Sequence, residues 1–216
     1  MYIVFEGIDG AGKSTFIKEV AEFLKDEWLK VEVVREPSQL FEESLESRDY
    51  LIYNEDTWLA LAYAIDRLEI QDDIQTYLEN DHIVLSDRSY ISSLVYQEDT
   101  DFVREVNSYA IQPDLVIFLD VPPETARERI IQRDGIDEAP SLETLENLRG
   151  KYFDVLNPDD SDISLLGVNG LFVDASKSQE DMLDEIKLLL KYMLLDWRKG
   201  LLRPLQRITG KRIDGK

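Results

Sequence analysis

Apolar residues follow two rhythms along this chain. Short, mostly apolar runs at residues 2–5, 31–34, 83–85, 115–119 and 171–173 alternate with longer stretches whose apolar positions recur every three or four residues. The short runs have the length and β-branched content of strands, and their lack of a regular polar alternate implies cover on both faces. The longer stretches predict helices. Phe16, Ile17, Val20, Phe23, Leu24 and Trp28 mark the first. Leu59, Ala62, Tyr63, Leu68, Ile70, Ile74 and Tyr77 mark a long one over residues 55–78, and residues 179–195 form the last. Such alternation predicts an α/β domain with a mainly parallel five-stranded sheet, helices on both faces and right-handed crossovers. Residues 157–170, rich in Asp, Ser, Asn and Gly, read as a loop.

A chain of 216 residues suits one such domain. It has no cysteine, which excludes disulfides, zinc–thiolate sites and thiol catalysis. The single histidine, His82, follows Glu79-Asn80-Asp81 and reads as a turn residue. No stretch approaches the roughly 18 uncharged apolar residues of a membrane span, and the N-terminus lacks a signal-peptide pattern, so a cytoplasmic location is expected. The net charge of -21 disfavours nucleic acid as a partner, yet leaves a small phosphorylated substrate open if arginines reverse the field inside a cleft. Residues 191–216 carry eight Lys and Arg against two Asp, so the rest of the chain stands at -27. That basic end, with Gly200, Pro204, Gly210 and Gly215, reads as an extended tail, either solvated or docked on the acidic body or a partner.

The most specific chemistry lies directly after the first strand. Gly7-Ile8-Asp9-Gly10-Ala11-Gly12-Lys13-Ser14 fits the P-loop pattern G-x-x-x-x-G-K-[ST] between a strand and a helix. Its glycines let successive N–H groups converge on phosphate oxygens, and the helix presents its positive end to the anion. Lys13 would neutralise the β- and γ-phosphates, and the Ser14 hydroxyl would complete a Mg²⁺ shell. Asp87, ending the third strand, would lie near that cation; capping the following helix is its structural alternative.

A P-loop alone does not separate switches, ATPases and kinases. There is no N-K-x-D element of the kind that reads guanine. A kinase needs a second phosphate-binding locus, and Arg35, Arg67 and Arg88 stand at predicted element ends. Arg35 and Arg88 directly follow strand ends, where ligands of open α/β sheets sit. Arg129 and Arg133 share a helix face before the polar loop Asp134-Gly135-Ile136-Asp137, whereas Arg127 reads as part of a solvated face.

Taken together these segments resemble the thymidylate kinase family. Phe5-Glu6-Gly7-Ile8-Asp9-Gly10-Ala11-Gly12-Lys13-Ser14-Thr15 is similar to its P-loop, and Arg35-Glu36-Pro37 to its REP element. LAYAIDR at 61–67 resembles its thymine-site helix, DRSYISSLVYQ at 87–97 its acceptor segment, and PDLVIFLDV at 113–121 the strand before its lid. The resemblance implies a three-layer P-loop kinase fold over residues 1–195 with a small lid at about 129–145, followed by the basic tail at 196–216. It implies transfer from ATP, with Mg²⁺, to dTMP, and a homodimer.

By the same resemblance, Tyr63 would stack on thymine and Arg67 would bond a base carbonyl; pairing with Asp66 is the structural alternative for Arg67. Ser93 and Gln97 would contact the base, and Tyr96 would pack beneath the sugar. Arg88 and Arg35 would hold the acceptor monophosphate, and Asp9 would take the sugar 3′-hydroxyl. Some members carry an arginine in the P-loop and others in the lid. Gly10 occupies that P-loop place here, so Arg129 and Arg133 would carry the transition-state charge. Ser38-Gln39-Leu40, Ser89, Ala139-Pro140 and the basic tail depart from the family pattern. The departures leave open a related kinase with another acceptor, or a nucleotide-binding regulator without turnover.

Overall fold

All five predicted strands form, and the sheet orders them so that one edge collects the candidate chemistry. A computed structural model of the chain describes residues 1–46, 56–136, 139–156 and 169–199. Strands β1 (Tyr2–Glu6), β2 (Val31–Arg35), β3 (Ile83–Asp87), β4 (Leu115–Asp120) and β5 (Asn169–Asp174) lie in the order β2-β3-β1-β4-β5. Every neighbouring pair is parallel, so the sheet is wholly rather than mainly parallel. The register sets Phe5 and Arg35 beside Asp87 and Glu6 beside Phe118. β1, central and buried at every position, has β3 on one side and β4 on the other. The crevice beyond its carboxyl end is the switch point where such sheets bind ligands.

The helices among the described residues are α1 (Lys13–Asp26), α2 (Gln39–Glu46), α3 (Asp56–Glu79), α4 (Tyr90–Tyr96), α5 (Thr100–Val106), α6 (Pro123–Asp134), α7 (Leu142–Leu156) and α8 (Gln179–Arg198). α1 packs on β1, β2 and β3 and against α8. α3 packs on β2 and β3 and against α4 and α5, with α7 next to α4 and α6. These groups and the sheet make the three layers of an α/β fold. No helix among the described residues is long and apolar enough to cross a membrane.

Trp28 departs from its predicted place on the inner face of α1. That helix ends at Asp26, and Trp28, at φ 62°, is 94% exposed. The left-handed turn swings the ring off the helix face that buries Val20 and Leu24. His82 does follow a turn, after Asp81 at φ 60°. The short helices α2, α4 and α5 had too few turns to show a period. α7 did show one, Leu145, Leu148 and Tyr152, beneath a stretch read partly as lid. Residues 135–141 link α6 to α7, and residues 137 and 138 lie outside the described residues, as do residues 157–168 and 200–216. The stretch expected as a loop over 157–170 gives its last two residues to β5, and α8 continues to Arg198, three residues into the stretch expected as the tail at 196–216.

Candidate active site

The P-loop spans the gap between β1 and α1, and its backbone departs from helix and strand where glycine allows. Gly10 and Gly12 take φ 79° and 89°, left-handed values that other residues adopt at a cost. Gly12 is the residue before the first turn of α1, so the helix's free N–H groups open onto the loop. Lys13 folds back over it, donating from Nζ to the carbonyls of Gly7 at 2.9 Å and Ile8 at 3.1 Å. Burial lowers its pKa to about 7, and the nearby Arg88 charge acts the same way, against Asp9 and Asp87. A phosphate bound at this lysine would favour the ammonium form.

Ser14 donates to Asp87 Oδ2 at 2.5 Å, joining the P-loop helix to the end of β3. Two hard oxygen donors so placed fit Mg²⁺, which keeps waters and takes substrate phosphate oxygens rather than an all-protein cage. Among the described residues no group of three or more His, Cys, Asp or Glu could hold a metal. Ala11 and Ile8 close the loop's inner side, both buried, while Ser14 and Thr15 are exposed.

Arg88 is the hub beside this cradle. It follows β3 at φ 74°, held by its own N–H to Phe5 O at 3.0 Å and by Ser86 Oγ donating to its carbonyl at 2.6 Å. Its Nη2 donates to Asp9 Oδ1 at 2.5 Å, and Tyr96 lies beneath with its ring centroid 5.1 Å from Cζ. Nη1 donates to Ser92 Oγ at 3.0 Å and Tyr152 OH at 3.3 Å.

A second arginine site is buried behind it. Arg67 donates from Nε to Glu36 Oε2 at 2.6 Å, from Nη1 to Asn107 Oδ1, and from Nη2 to Ser93 Oγ at 3.2 Å. Asp66, the alternative partner, is turned away and accepts from Ser38 N and Oγ instead. Burial raises the Glu36 pKa to about 7 against the pull of Arg67. Glu36 Oε1 and Gln97 Oε1 are buried without a partner among the described residues. Tyr63 is half-buried, 5.2 Å from the Phe41 ring.

Some predicted residues have other attachments. Arg35 lies exposed and pairs with Glu42 at 2.6 Å, although the register sets its backbone beside Asp87. Arg129 ties the P-loop to the end of β5, donating from Nη1 to Gly10 O at 3.2 Å and from Nη2 to Ala175 O at 3.0 Å. Arg133 is exposed and grips its neighbour Asp134. Arg127 is not merely solvated, since its Nε donates to Pro140 O at 3.1 Å and anchors the α6–α7 link. Sequence reasoning passed over Glu6, Ser92 and Tyr152 as site residues. An acidic residue completing an otherwise apolar strand, as Glu6 does, is the signal that was available.

The arrangement places a donor-phosphate cradle against an arginine and carboxylate delivered from the adjacent strand, which defines a P-loop nucleotide kinase. The thymidylate kinase family model matches residues 5–186. A probable thymidylate kinase of Methanobrevibacter smithii is 37% identical over 185 residues, covering 82% of this chain and 93% of the relative. Another, of Methanosphaera stadtmanae, is 31% identical over 90% of this chain and 100% of the relative. A thymidylate kinase of Ureaplasma parvum is 32% identical over 87% of each. The chain belongs to the thymidylate kinase family. Its reaction is that of an ATP-dependent nucleoside monophosphate kinase, converting dTMP to dTDP.

Proposed function

We propose that this chain performs the transfer with the following division of labour. Residues 7–15 cradle the triphosphate of ATP, and Lys13 neutralises its β- and γ-oxygens. Ser14 and Asp87 hold Mg²⁺, which supplies charge neutralisation at the transferred group when bound. Arg88, with Arg35, grips the dTMP phosphate, and Asp9 accepts the sugar 3′-hydroxyl. Tyr63, Arg67, Ser93 and Gln97 form the thymine pocket, with Tyr96 beneath the sugar. Arg129 and Arg133 supply the transition-state charge from the lid side. Alignment and charge balance, rather than covalent chemistry, then do the catalysis.

The observation that carries this reading is the contact of Arg88 Nη2 with Asp9 Oδ1 at 2.5 Å, since an arginine from the end of β3 beside the P-loop is what an acceptor-phosphate grip requires. Arg133 would have to release Asp134 to reach a phosphate, and Arg129 would act from its present place against the loop. The test is ADP formation with ATP and Mg²⁺ against dTMP, dUMP, dCMP, dGMP, UMP and thymidine. Strong preference for dTMP is expected. Preference for another monophosphate would discard the thymine pocket while keeping the kinase.

The reading extends to assembly and place. The protein works in the cytoplasm as a homodimer, with its small-molecule substrates and without nucleic acid or membrane. Support for the dimer comes from α3, where Trp58, Ile65 and Leu68 lie exposed on one side of the helix at 62%, 63% and 48%. Sedimentation is expected to give twice the chain mass for the wild type and a single chain for Ile65→Asp. A monomeric wild type at micromolar concentration would reject the dimer.

A further inference from the structure

Glu6 is a carboxylate with no exposed surface, at the last position of β1 and one residue before the P-loop. It accepts three hydroxyl hydrogen bonds: Ser89 Oγ to Oε1 at 2.8 Å, and Ser92 Oγ and Tyr152 OH to Oε2 at 2.7 Å and 2.9 Å. The Ser92 and Tyr152 hydroxyls are also the two acceptors of Arg88 Nη1. The two hydroxyls also lie 3.0 Å from each other, where either could donate. With Arg88 Nη1 occupying a lone pair on each, the carboxylate of Glu6 is the acceptor that can take both protons, which polarises both between carboxylate and guanidinium. Buried charge is tolerated where it is paired and hydrogen-bonded, and here the pairing runs through hydroxyls. Burial raises the Glu6 pKa, against Arg88 and the three hydroxyls.

The geometry points to Glu6, Ser92 and Tyr152 as positioning residues that fix the Arg88 guanidinium for the acceptor phosphate, through an ion pair relayed by two hydroxyls. This rests on the proposed role of Arg88 at that phosphate. The three residues come from β1, α4 and α7, so the relay joins the P-loop strand, the acceptor segment and the helix that follows the lid. Ser89, where the chain departs from its family's pattern, caps α4 by accepting from Ile91 N and supplies the third hydroxyl. With one side of the guanidinium held, rotation about the last side-chain bonds is suppressed, and Nη2 stays aimed at the Asp9 side.

Tyr152→Phe tests this without changing ring shape, alongside Ser92→Ala, Arg88→Met and the double variant Arg88→Met/Tyr152→Phe. Titration calorimetry would measure binding of dTMP and of thymidine, which lacks the phosphate. Tyr152→Phe is expected to weaken dTMP about tenfold, the scale of a hydrogen bond to a charged group, and to leave thymidine and ATP within about twofold of wild type, a separation no general loss of packing would make. The double variant should bind dTMP no more weakly than Arg88→Met. Equal weakening of dTMP and thymidine in Tyr152→Phe, or full additivity in the double variant, overturns the relay while leaving Arg88 its role. If Arg88→Met leaves the preference for dTMP over thymidine unchanged, the reading of Arg88 fails and the relay fails with it.

Discussion

Lys13→Met is expected to lower kcat by about 10²–10³-fold, the scale of losing one preorganised charge at a developing anion. It is also expected to abolish a proton uptake that accompanies ATP binding above neutral pH. Both follow from one environment. Lys13 is 7% exposed, its Nζ donates to the Gly7 and Ile8 carbonyls, and burial with the Arg88 charge brings its pKa to about 7. At pH 8 the amine in the free enzyme is therefore mostly neutral. The oxygens of a bound triphosphate favour its charged form, so binding draws a proton from buffer.

The sign for stability runs the same way. An unfolded lysine keeps its proton up to about pH 10.4. Between about pH 7 and that value the unfolded chain holds more protons than the folded one, so this group adds stability to the unliganded protein as pH rises through the window. Bound ATP, by holding the amine charged in the folded state too, removes this trend over the same window. Calorimetry in two buffers of different ionisation enthalpy reads the uptake directly. A value near one proton is expected at pH 8.5 and near zero at pH 5.5, with none at either pH in Lys13→Met. No uptake by the wild type at pH 8.5 would show that Lys13 is already charged without ligand. Lys13→Met retaining more than a tenth of wild-type kcat would remove it from the transition state.

What could be read from residues alone was the chemistry that is local in sequence. Gly7 to Ser14 supplies nearly a whole phosphate site in one segment, and Asp87-Arg88 ends a strand whose apolar run identifies it. The parallel sheet followed from runs without polar alternates. Less accessible was partner choice across the fold. Arg67 stands next to Asp66 in sequence, yet β2 and α5 bring Glu36 and Asn107 to it while Asp66 turns to Ser38. Tyr152 and Glu6 are 146 positions apart, and no spacing rule connects them. Arg127 and Arg129 were separable only as a face and its flank, because their partners, Pro140 O and Ala175 O, are backbone carbonyls that any residue could present. Trp28 fits the period of α1, and only the left-handed turn after Asp26 takes it out of the core.

Gly10→Arg, which would place an arginine in the P-loop itself, is expected to unfold the loop rather than improve it. A Cβ at Gly10 would lie 2.3 Å from Ala126 O and 2.9 Å from both Ala126 C and Cα. Those are backbone atoms near the start of α6, whose Ala126 is fully buried and whose neighbours Arg127 and Arg129 are tied to Pro140 and Ala175. The obstruction cannot rotate away as a side chain would. At φ 79° the replacement also takes on about 1 kcal/mol or more of left-handed strain. A total near 3–5 kcal/mol, and a Tm lower by about 10 °C, is expected for both Gly10→Ala and Gly10→Arg. Gly12→Ala is the contrast, since its Cβ would meet only side-chain ends, Gln179 Nε2 at 3.7 Å and Arg129 Nη1 at 3.9 Å. Its Tm should fall much less, its loss being the φ of 89° alone. Thermal unfolding of the three variants without nucleotide separates these terms. The close approach that excludes a side chain at Gly10 is also what lets Arg129 reach the carbonyl of Gly10 from α6. In this chain, then, an arginine on α6 and a glycine in the P-loop are one packing choice, and Gly10→Arg melting with the wild type would show that α6 yields and that the two are independent.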